Sequence, residues 1–339
     1  MNKIVKRVLA TSMAVAMIGA SFAGCKAKTD DATTTAAQAE AKAFKVGICQ
    51  LVQHEALDAA TKGFQEKLTE LVEADGNKVE FDLKNASGEM NNCTTIATTF
   101  VSNNVDLIMA NATPALQAAM TATATSQTPV VGTSVTDYGA ALGIDISGDQ
   151  ATGINVTGAS DLAPLSKQAE QITTLFPDAK KIGCIYCSSE ANSVFQVNKI
   201  KEILEGSGLT VELFSFTDSN DISAVANKAA TSSDVIYIPT DNKAADNGQL
   251  IGQICTAANV PIIAGESGIF SSTKAVATLS IDYYEMGQAA GEIAYNILAK
   301  GQDPKTTNIW LSPNATFYAN EAAAKKFNVT IPEGYKLSE

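Results

Sequence analysis

The chain has 339 residues, of which 45% are hydrophobic, enough to bury the core of one large domain or two medium ones. Its formal net charge of -12 opposes binding to nucleic acid or to an anionic membrane surface, so neither is a predicted partner. The single arginine, Arg7, lies at the N-terminus. The rest of the chain therefore has no guanidinium with which to clamp a carboxylate or phosphate.

The N-terminal segment has the features of an export signal followed by a tether. Basic residues precede an apolar run over residues 8–23, which predicts a signal peptide over residues 1–24. Phe22-Ala23-Gly24 then precedes Cys25, which resembles a bacterial lipobox and predicts a lipidated cysteine; a simple signal peptide with an incidental cysteine is the alternative. Residues 25–43 are predicted to consist of the lipidated cysteine and a flexible linker. A lipid attached there would anchor the protein to the cell membrane, so we expect it to be extracytoplasmic.

From residue 44, apolar strand-like runs alternate with helical patterns. The elements predicted in this first series are strands at 45–49, 78–84, 106–110 and 129–134, helices at 56–74, 91–103 and 115–124, and an extended segment at 141–146. A glycine-containing connector at 155–161 ends the series.

A second series of the same kind follows the connector. Its predicted elements are strands at 181–187, 210–215, 235–239, 261–264 and near 308–311, an extended segment at 279–284, and helices at 164–176, 194–206, 222–231, 285–299 and one ending near 258. Repeated strand–helix units predict an α/β fold with doubly wound parallel sheets. Two series favour two lobes over one wide sheet; the predicted lobes are 44–158 plus 282–307, and 159–281 plus 308–339.

Little in the sequence indicates catalysis, and no cofactor or metal is predicted. Cys184 and Cys187 have CxxC spacing, but within one strand they point to opposite faces. Gly47 and Gly183 lie inside strands and form no phosphate-binding loop. His54 is the only histidine, so a metal site or a hydrolytic pair would have to depend on it. We therefore expect the chain not to be an enzyme.

The turns that follow the predicted strands resemble those of one family. Their residues are Gln50-Leu51-Val52 with His54-Glu55-Ala56-Leu57-Asp58, Ala112-Thr113-Pro114-Ala115, Val135-Thr136-Asp137, Val156-Thr157-Gly158 with Ser160-Asp161, Ser188-Ser189-Glu190-Ala191-Asn192-Ser193, Pro239-Thr240-Asp241-Asn242, and Asp282-Tyr283-Tyr284 with Gly287. In order and spacing they resemble the substrate-binding lipoproteins of ABC importers, in the group that includes tryptophan- and tyrosine-type binders. The resemblance implies the type I periplasmic-binding fold, in which three crossovers join two α/β lobes around a ligand, and permease and ATPase partners.

Ligands of doubly wound sheets bind beyond the carboxyl ends of the strands, which places the candidate site in these turns. The predicted ligand-binding residues are Gln50, His54, Glu55, Thr113, Thr136, Asp161, Ser188, Glu190, Asn192, Asp241, Asn242, Glu266 and Asp282. Helix starts at Thr113 and Ser188 can hold a carboxylate without arginine. Asp241 and Asp282 are the first choices for holding an ammonium group, although each could serve only to cap a helix.

These residues suit a zwitterionic ligand, and an aromatic amino acid is the preferred prediction. Sugar binders usually stack a ring on tryptophan and reach hydroxyls with arginine, whereas this chain has only Trp310 and a distant Arg7. A sugar or nucleoside stacked on Tyr138, Phe270 or Tyr283 remains an alternative. Two further alternatives are a ligand-sensing subunit for a membrane receptor and a hydrolase that uses His54.

Overall fold

The computed structural model describes residues 41–338, which form strands and helices in alternation. The strands are β1 (Ala43–Gln50), β2 (Lys78–Asn85), β3 (Leu107–Asn111), β4 (Val130–Val135), β5 (Val156–Ser160), β6 (Lys181–Cys187), β7 (Thr210–Phe216), β8 (Val235–Ile238), β9 (Ile262–Ala264), β10 (Ala277–Ser280), β11 (Trp310–Leu311), β12 (Thr316–Asn320) and β13 (Lys336–Ser338). The predicted signal peptide, Cys25 and most of the predicted linker lie outside the described residues.

Helices fill most of the connections between these strands. They are α1 (Glu55–Ala74), α2 (Met90–Ser102), α3 (Thr113–Thr123), α4 (Tyr138–Leu142), α5 (Leu165–Leu175), α6 (Ala191–Gly206), α7 (Ile222–Ser232), α8 (Asn242–Asp246), α9 (Gly248–Ala257), α10 (Ser267–Thr273), α11 (Tyr283–Lys300) and α12 (Glu321–Lys326). No helix within residues 41–338 is both long enough and apolar enough to cross a membrane.

The strands form two sheets, each the centre of one lobe. Sheet A has the order β11-β5-β4-β3-β1-β2, and sheet B has the order β13-β12-β10-β9-β8-β6-β7. Apart from the antiparallel pair β10–β12, the paired strands are parallel. Strands β3 and β4 are buried at every position, as expected for parallel strands that helices cover on both faces. The structure confirms the predicted fold class of two doubly wound lobes.

Each sheet has one apolar core on each face. On sheet A, α1 and α11 cover one face and α2 and α3 cover the other. On sheet B, α7 to α10 lie on one face, while α5, α6 and α12 lie on the other. Because the parallel strands of a sheet end at the same edge, these layers bring the polar turns of each lobe together at one edge.

The chain passes between the lobes three times, as predicted. The first crossover leaves sheet A after β5, and the second leaves sheet B after β10 and enters α11, which packs on α1. The third crossover runs from β11 in sheet A to β12 in sheet B. The first and third fall later than predicted: β5 extends sheet A to Ser160, and Trp310 pairs with Ala159 in sheet A, whereas residues from 308 onward were assigned to the second lobe.

Some predicted elements differ in type or extent. The segment at 141–146 is not extended; it contains the end of α4 and a turn at Gly143, whose φ of 66° is left-handed. The extended segment at 279–284 divides into the end of β10 and the start of α11. The predicted helix ending near residue 258 is two helices, α8 and α9. The sequence patterns did not indicate β12, α12 and β13, because these elements are short and only four of their residues, Ala319, Asn320, Ala323 and Ala324, are buried.

Helices α1 and α11 approach closely enough that two glycines are required at their contact. A Cβ on Gly63 would lie 2.2 Å from the carbonyl oxygen of Tyr284, and one on Gly287 would lie 2.1 Å from the carbonyl oxygen of Ala60. Both obstacles are backbone atoms, which cannot rotate away. The close packing of α11 on α1 depends on glycine at these two positions. The path of the second crossover, which leads into α11, depends on it as well.

We expect Gly287→Ala to destabilise the protein by about 1–3 kcal/mol, because the added methyl group forces the two helices apart. Thermal or urea unfolding measures the loss. Gly206→Ala is the matched control, since Gly206 is also helical and no atom lies within 4 Å of the position its Cβ would take. Equal stabilities of the two variants would contradict the close approach of α1 and α11.

Candidate ligand-binding cleft

The facing edges of the two lobes enclose a small cavity between side chains from both. It is lined by His54, Leu57, Asp161, Thr240, Asp241, Asn242, Ala245, Glu266 and Tyr283. Its volume is about 10 Å³, room for about one water molecule. A ligand as large as an amino acid therefore enters only if the lobes first move apart.

On the side of the first lobe, the polar wall is centred on Asp161, which directly follows β5. Its carboxylate accepts a hydrogen bond from the Thr136 hydroxyl at 2.8 Å and one from the Tyr283 hydroxyl at 3.0 Å. All three side chains are buried. Burial outweighs these two donors and raises the pKa of Asp161 to about 6.

On the side of the second lobe, Asp241 caps the short helix α8. Its two carboxylate oxygens accept backbone N–H groups from Ala244 at 2.8 Å and from Cys187 at 2.6 Å. The side chain is buried. Burial raises the pKa of Asp241 to about 7, and the nearby charge of Glu190 adds to the effect.

Behind Asp241, a buried polar network joins the start of α6 to the start of α8. Glu190 accepts hydrogen bonds from the backbone N–H of Asn242 at 3.1 Å, from the Asn242 side-chain amide at 2.6 Å and from the backbone N–H of Lys243 at 3.0 Å. Asn192 donates to the same carboxylate at 3.1 Å and to the Thr240 carbonyl at 3.0 Å. This network holds Asn242 with its side chain at the cavity.

Glu266 supplies a third buried carboxyl group, at the start of α10. Its carboxylate accepts the backbone N–H groups of Gly268 and Ile269, each at 2.5 Å. Burial raises the pKa of Glu266 to about 7, with smaller contributions from the charges of Asp161 and Glu55. The cavity is thus lined by three carboxyl groups and no lysine. This environment favours a ligand group that carries a positive charge.

Two polar contacts cross the cavity from one lobe to the other. The Nε2 atom of His54, just before α1, lies 3.4 Å from Oδ1 of Asn242. The side chain of Thr240, in the second lobe, lies beside the Tyr283 hydroxyl, which donates to Asp161. Burial lowers the pKa of His54, so its ring is neutral at pH 7. These contacts hold the lobes against each other.

The structure brings eight of the thirteen predicted site residues to the cavity or to the side chains that line it: His54, Thr136, Asp161, Glu190, Asn192, Asp241, Asn242 and Glu266. Of the others, Gln50 is held within the first lobe, where it donates to Asp58 and accepts from Thr61. Glu55 and Ser188 are exposed. Thr113 is buried at the start of α3, on the same edge of sheet A.

Asp282, one of the two first choices, does not line the cavity. Its side chain is exposed, and its carboxylate accepts the backbone N–H groups of Tyr284 at 2.9 Å and Glu285 at 3.0 Å. It therefore caps α11, which was the alternative role considered for it. The adjacent residue, Tyr283, faces the cavity instead.

Four lining residues were missing from the predicted set: Leu57, Thr240, Ala245 and Tyr283. Thr240 and Tyr283 each adjoin a predicted carboxylate, so closer attention to the neighbours of Asp241 and Asp282 could have found them. Leu57 and Ala245 lie in the first turns of α1 and α8, and their apolar side chains look like ordinary core positions in the sequence. Among residues 41–338, no group of three or more His, Cys, Asp or Glu residues is arranged to hold a metal ion.

Several buried polar atoms near the cleft lack a hydrogen-bond partner within the described part of the chain. They include Nδ1 of His54, Oγ1 of Thr113 and Oδ1 of Asn192, all on predicted site residues. Native proteins rarely leave buried polar atoms unpaired, because the unmade hydrogen bond costs about 1–3 kcal/mol. Of these three atoms, Nδ1 of His54 belongs to a residue that lines the cavity, and it is a group that a bound molecule could satisfy.

Comparison with known proteins places these features in one family. The family model for ABC transporter substrate binding proteins matches residues 45–337. A tyrosine-binding protein from Clostridioides difficile (strain R20291) is 35% identical over 311 residues, which cover 90% of this chain and 88% of that protein. The similarity therefore extends across both lobes.

Solved structures are similar at the level of the whole fold. An ABC domain from Streptococcus pneumonia in complex with L-Trp is 32% identical, with a TM-score of 0.79, covering 86% of this chain and 97% of that one. A ligand-free, open structure of a substrate binding protein with adhesive properties from Clostridium difficile is 33% identical, with a TM-score of 0.65, covering 87% and 99%. At nearly equal identity, the chain superposes better on the L-Trp complex, in agreement with the contact between its lobes.

The three buried carboxyl groups predict a pH-dependent stability. Their raised pKa values mean that the folded protein binds more protons than the unfolded chain above about pH 4. The stability they contribute is fully present below the unfolded pKa values and is lost as the pH rises through about 6 to 7. Without added ligand, we therefore expect the free energy of unfolding, and with it the melting temperature, to fall as the pH rises from about 5 to about 8.

Melting curves over this pH range, recorded for the wild type, Asp161→Asn and Glu266→Gln, test the assignment. Each variant removes one titrating group, so each profile should be flatter than that of the wild type. Asp137→Asn is the control, because Asp137 also caps a helix but does not line the cavity. Variant profiles as steep as that of the wild type would contradict the role given to these groups.

Proposed function

The chain belongs to the ABC transporter substrate binding protein family, and from that premise we propose that it captures a free amino acid with an aromatic side chain. The observation that carries the proposal is the cavity between the lobes, lined by three buried carboxyl groups and no cation. A cationic group of the ligand replaces the proton that burial otherwise favours on these carboxyl groups. The similarity to a tyrosine-binding protein and to an L-Trp complex supports the aromatic class.

The α-ammonium group of the ligand binds to Asp161 and Asp241. They belong to opposite lobes, so an ammonium held by both draws the lobes together. A carboxylate has sites for about four hydrogen bonds, and the protein fills two or three of them on Asp161 and on Asp241. Both groups therefore have acceptor capacity left for a ligand.

The α-carboxylate of the ligand binds at the start of α3. Thr113 is buried and its hydroxyl has no partner among the described residues. Ala112, just before the helix, has a φ of 93°, an unfavourable conformation for a residue other than glycine, and such strain is often found at ligand sites. The helix start offers free N–H groups and the positive end of the helix dipole, which can hold a carboxylate without arginine.

Closure of the lobes completes the site, because Asp161 begins the first crossover and Tyr283 directly follows the second. Bending at the three crossovers opens the cleft for the ligand and closes it again. The closed protein then delivers the ligand to an ABC permease driven by its ATPase. Family membership supports action outside the cytoplasm, and we include in the proposal that lipidated Cys25 anchors the chain to the membrane.

A thermal-shift screen tests the ligand class. Residues 41–339 form one compact unit, which is melted with each amino acid and with sugars and nucleosides. A ligand at a hundred times its Kd should add about 2.7 kcal/mol of stability. We expect tyrosine or tryptophan to give the largest shift. A shift with a sugar or nucleoside and with no amino acid would contradict the proposal.

Asp241 and Asp282 provide a matched pair of variants. Asp241→Asn should weaken binding of the aromatic amino acid by about tenfold to a hundredfold, the value of a hydrogen bond to a charged group. Asp282→Asn should leave affinity nearly unchanged, because Asp282 is exposed and bonded only to its own helix. Isothermal titration calorimetry measures both; equal affinities in the two variants would remove Asp241 from the site.

A further inference from the structure

The ring of His54 lies at the cavity, and only one of its two nitrogen atoms has a hydrogen-bond partner. His54 stands at the position that caps α1, yet its side chain makes no cap hydrogen bond. Nε2 lies 3.4 Å from Oδ1 of Asn242 in the other lobe. Nδ1 is buried and has no partner among the described residues. One ring nitrogen thus holds the lobes together, and the other is unused.

The neighbours of His54 decide which nitrogen carries the proton. The side-chain amide nitrogen of Asn242 donates to Glu190 at 2.6 Å, and a carboxylate can only accept. The amide oxygen of Asn242 therefore faces His54, and this oxygen also can only accept. Nε2 must carry the hydrogen. Because burial lowers the pKa of the ring, His54 is neutral, and Nδ1 is left as a bare acceptor.

Nδ1 of His54 is an unused acceptor at the cavity, and only some groups of an amino acid ligand can donate a hydrogen bond to it. The α-ammonium is better held by the carboxylates of Asp161 and Asp241, which carry opposite charge. The α-carboxylate has no hydrogen to donate. Only a neutral donor on the ligand's side chain remains for Nδ1, such as the O–H of a phenol or the N–H of an indole.

We propose that Nδ1 of His54 accepts a hydrogen bond from the ligand's side chain and makes the site selective for aromatic amino acids that carry a donor. This inference rests on the proposed function and names the residue that narrows its ligand class. Tyrosine and tryptophan satisfy the acceptor, whereas phenylalanine leaves it buried and unpaired. Loss of one such hydrogen bond corresponds to an affinity difference of about tenfold to a hundredfold.

Two substitutions separate the functions of the two ring nitrogens. The amide nitrogen of His54→Gln takes the place of Nε2 and can still donate to Asn242, but no atom replaces Nδ1. The amide group of His54→Asn places its oxygen near Nδ1 but is too short to reach Asn242. Neither substitution removes a helix cap, since His54 makes none. Gln53→Ala is the control, because Gln53 is exposed and lines a separate groove with Lys62.

Calorimetry with tyrosine, tryptophan and phenylalanine on the full mature protein measures the outcome, with melting temperatures to confirm folding. In the wild type and in Gln53→Ala, we expect phenylalanine to bind at least tenfold more weakly than the better of the other two. In His54→Gln this preference should disappear. In His54→Asn it should persist while all three ligands bind more weakly, because the contact between the lobes is lost.

An undiminished preference in His54→Gln would overturn the inference. So would equal affinities for all three amino acids in the wild type, a result that leaves the proposed function intact. If the wild type binds none of the three, the proposed function fails and this inference fails with it.

Discussion

The cleft depends on three carboxyl groups, Asp161, Asp241 and Glu266, that are kept buried with no lysine beside them at the cavity. Asp161 accepts hydrogen bonds from two side-chain hydroxyls, and Glu266 accepts two backbone N–H groups at the start of α10. Asp241 accepts one backbone N–H at the start of α8 and one at the end of β6. These donors fix the orientation of the carboxyl groups, but they do not offset the loss of solvation, so the pKa values rise. In the proposed function, the ammonium group of the ligand supplies the missing charge.

In the proposed function, this constraint couples ligand capture to closure of the lobes. Asp161, His54 and Tyr283 belong to the first lobe, whereas Asp241, Asn242 and the remaining polar lining belong to the second. Asp161 begins the first crossover and Tyr283 directly follows the second, so bending there moves site residues and lobes together. The close packing of α11 on α1, which requires glycine at two positions, fixes the place from which Tyr283 reaches the cavity.

The sequence predicted the architecture well, because strand and helix periodicity is local and recurs throughout the chain. It also predicted that the turns after the strands lie together, since strand ends in a parallel sheet share one edge, and residues of several of these turns line one cavity. It failed where adjacent residues compete for one role. Asp282 and Tyr283 differ by one position, and only the start of α11 decides that Asp282 caps the helix while Tyr283 faces the cavity. Gln50 was also predicted to bind the ligand, but its side chain is hydrogen-bonded to Asp58 and Thr61 on α1.

From its own residues, the sequence determined a two-lobed α/β protein, and it predicted a site that holds an anion without arginine and a cation with carboxylates. Residue type, periodicity and capping are local properties that a sequence displays directly. The tertiary structure alone decided which candidates meet. His54 and Asn242 are 188 positions apart and come together only because the chain crosses three times between sheets. The contact with Asn242 places the ring proton of His54 on Nε2 and leaves Nδ1 as an acceptor. No local sequence pattern could have indicated this.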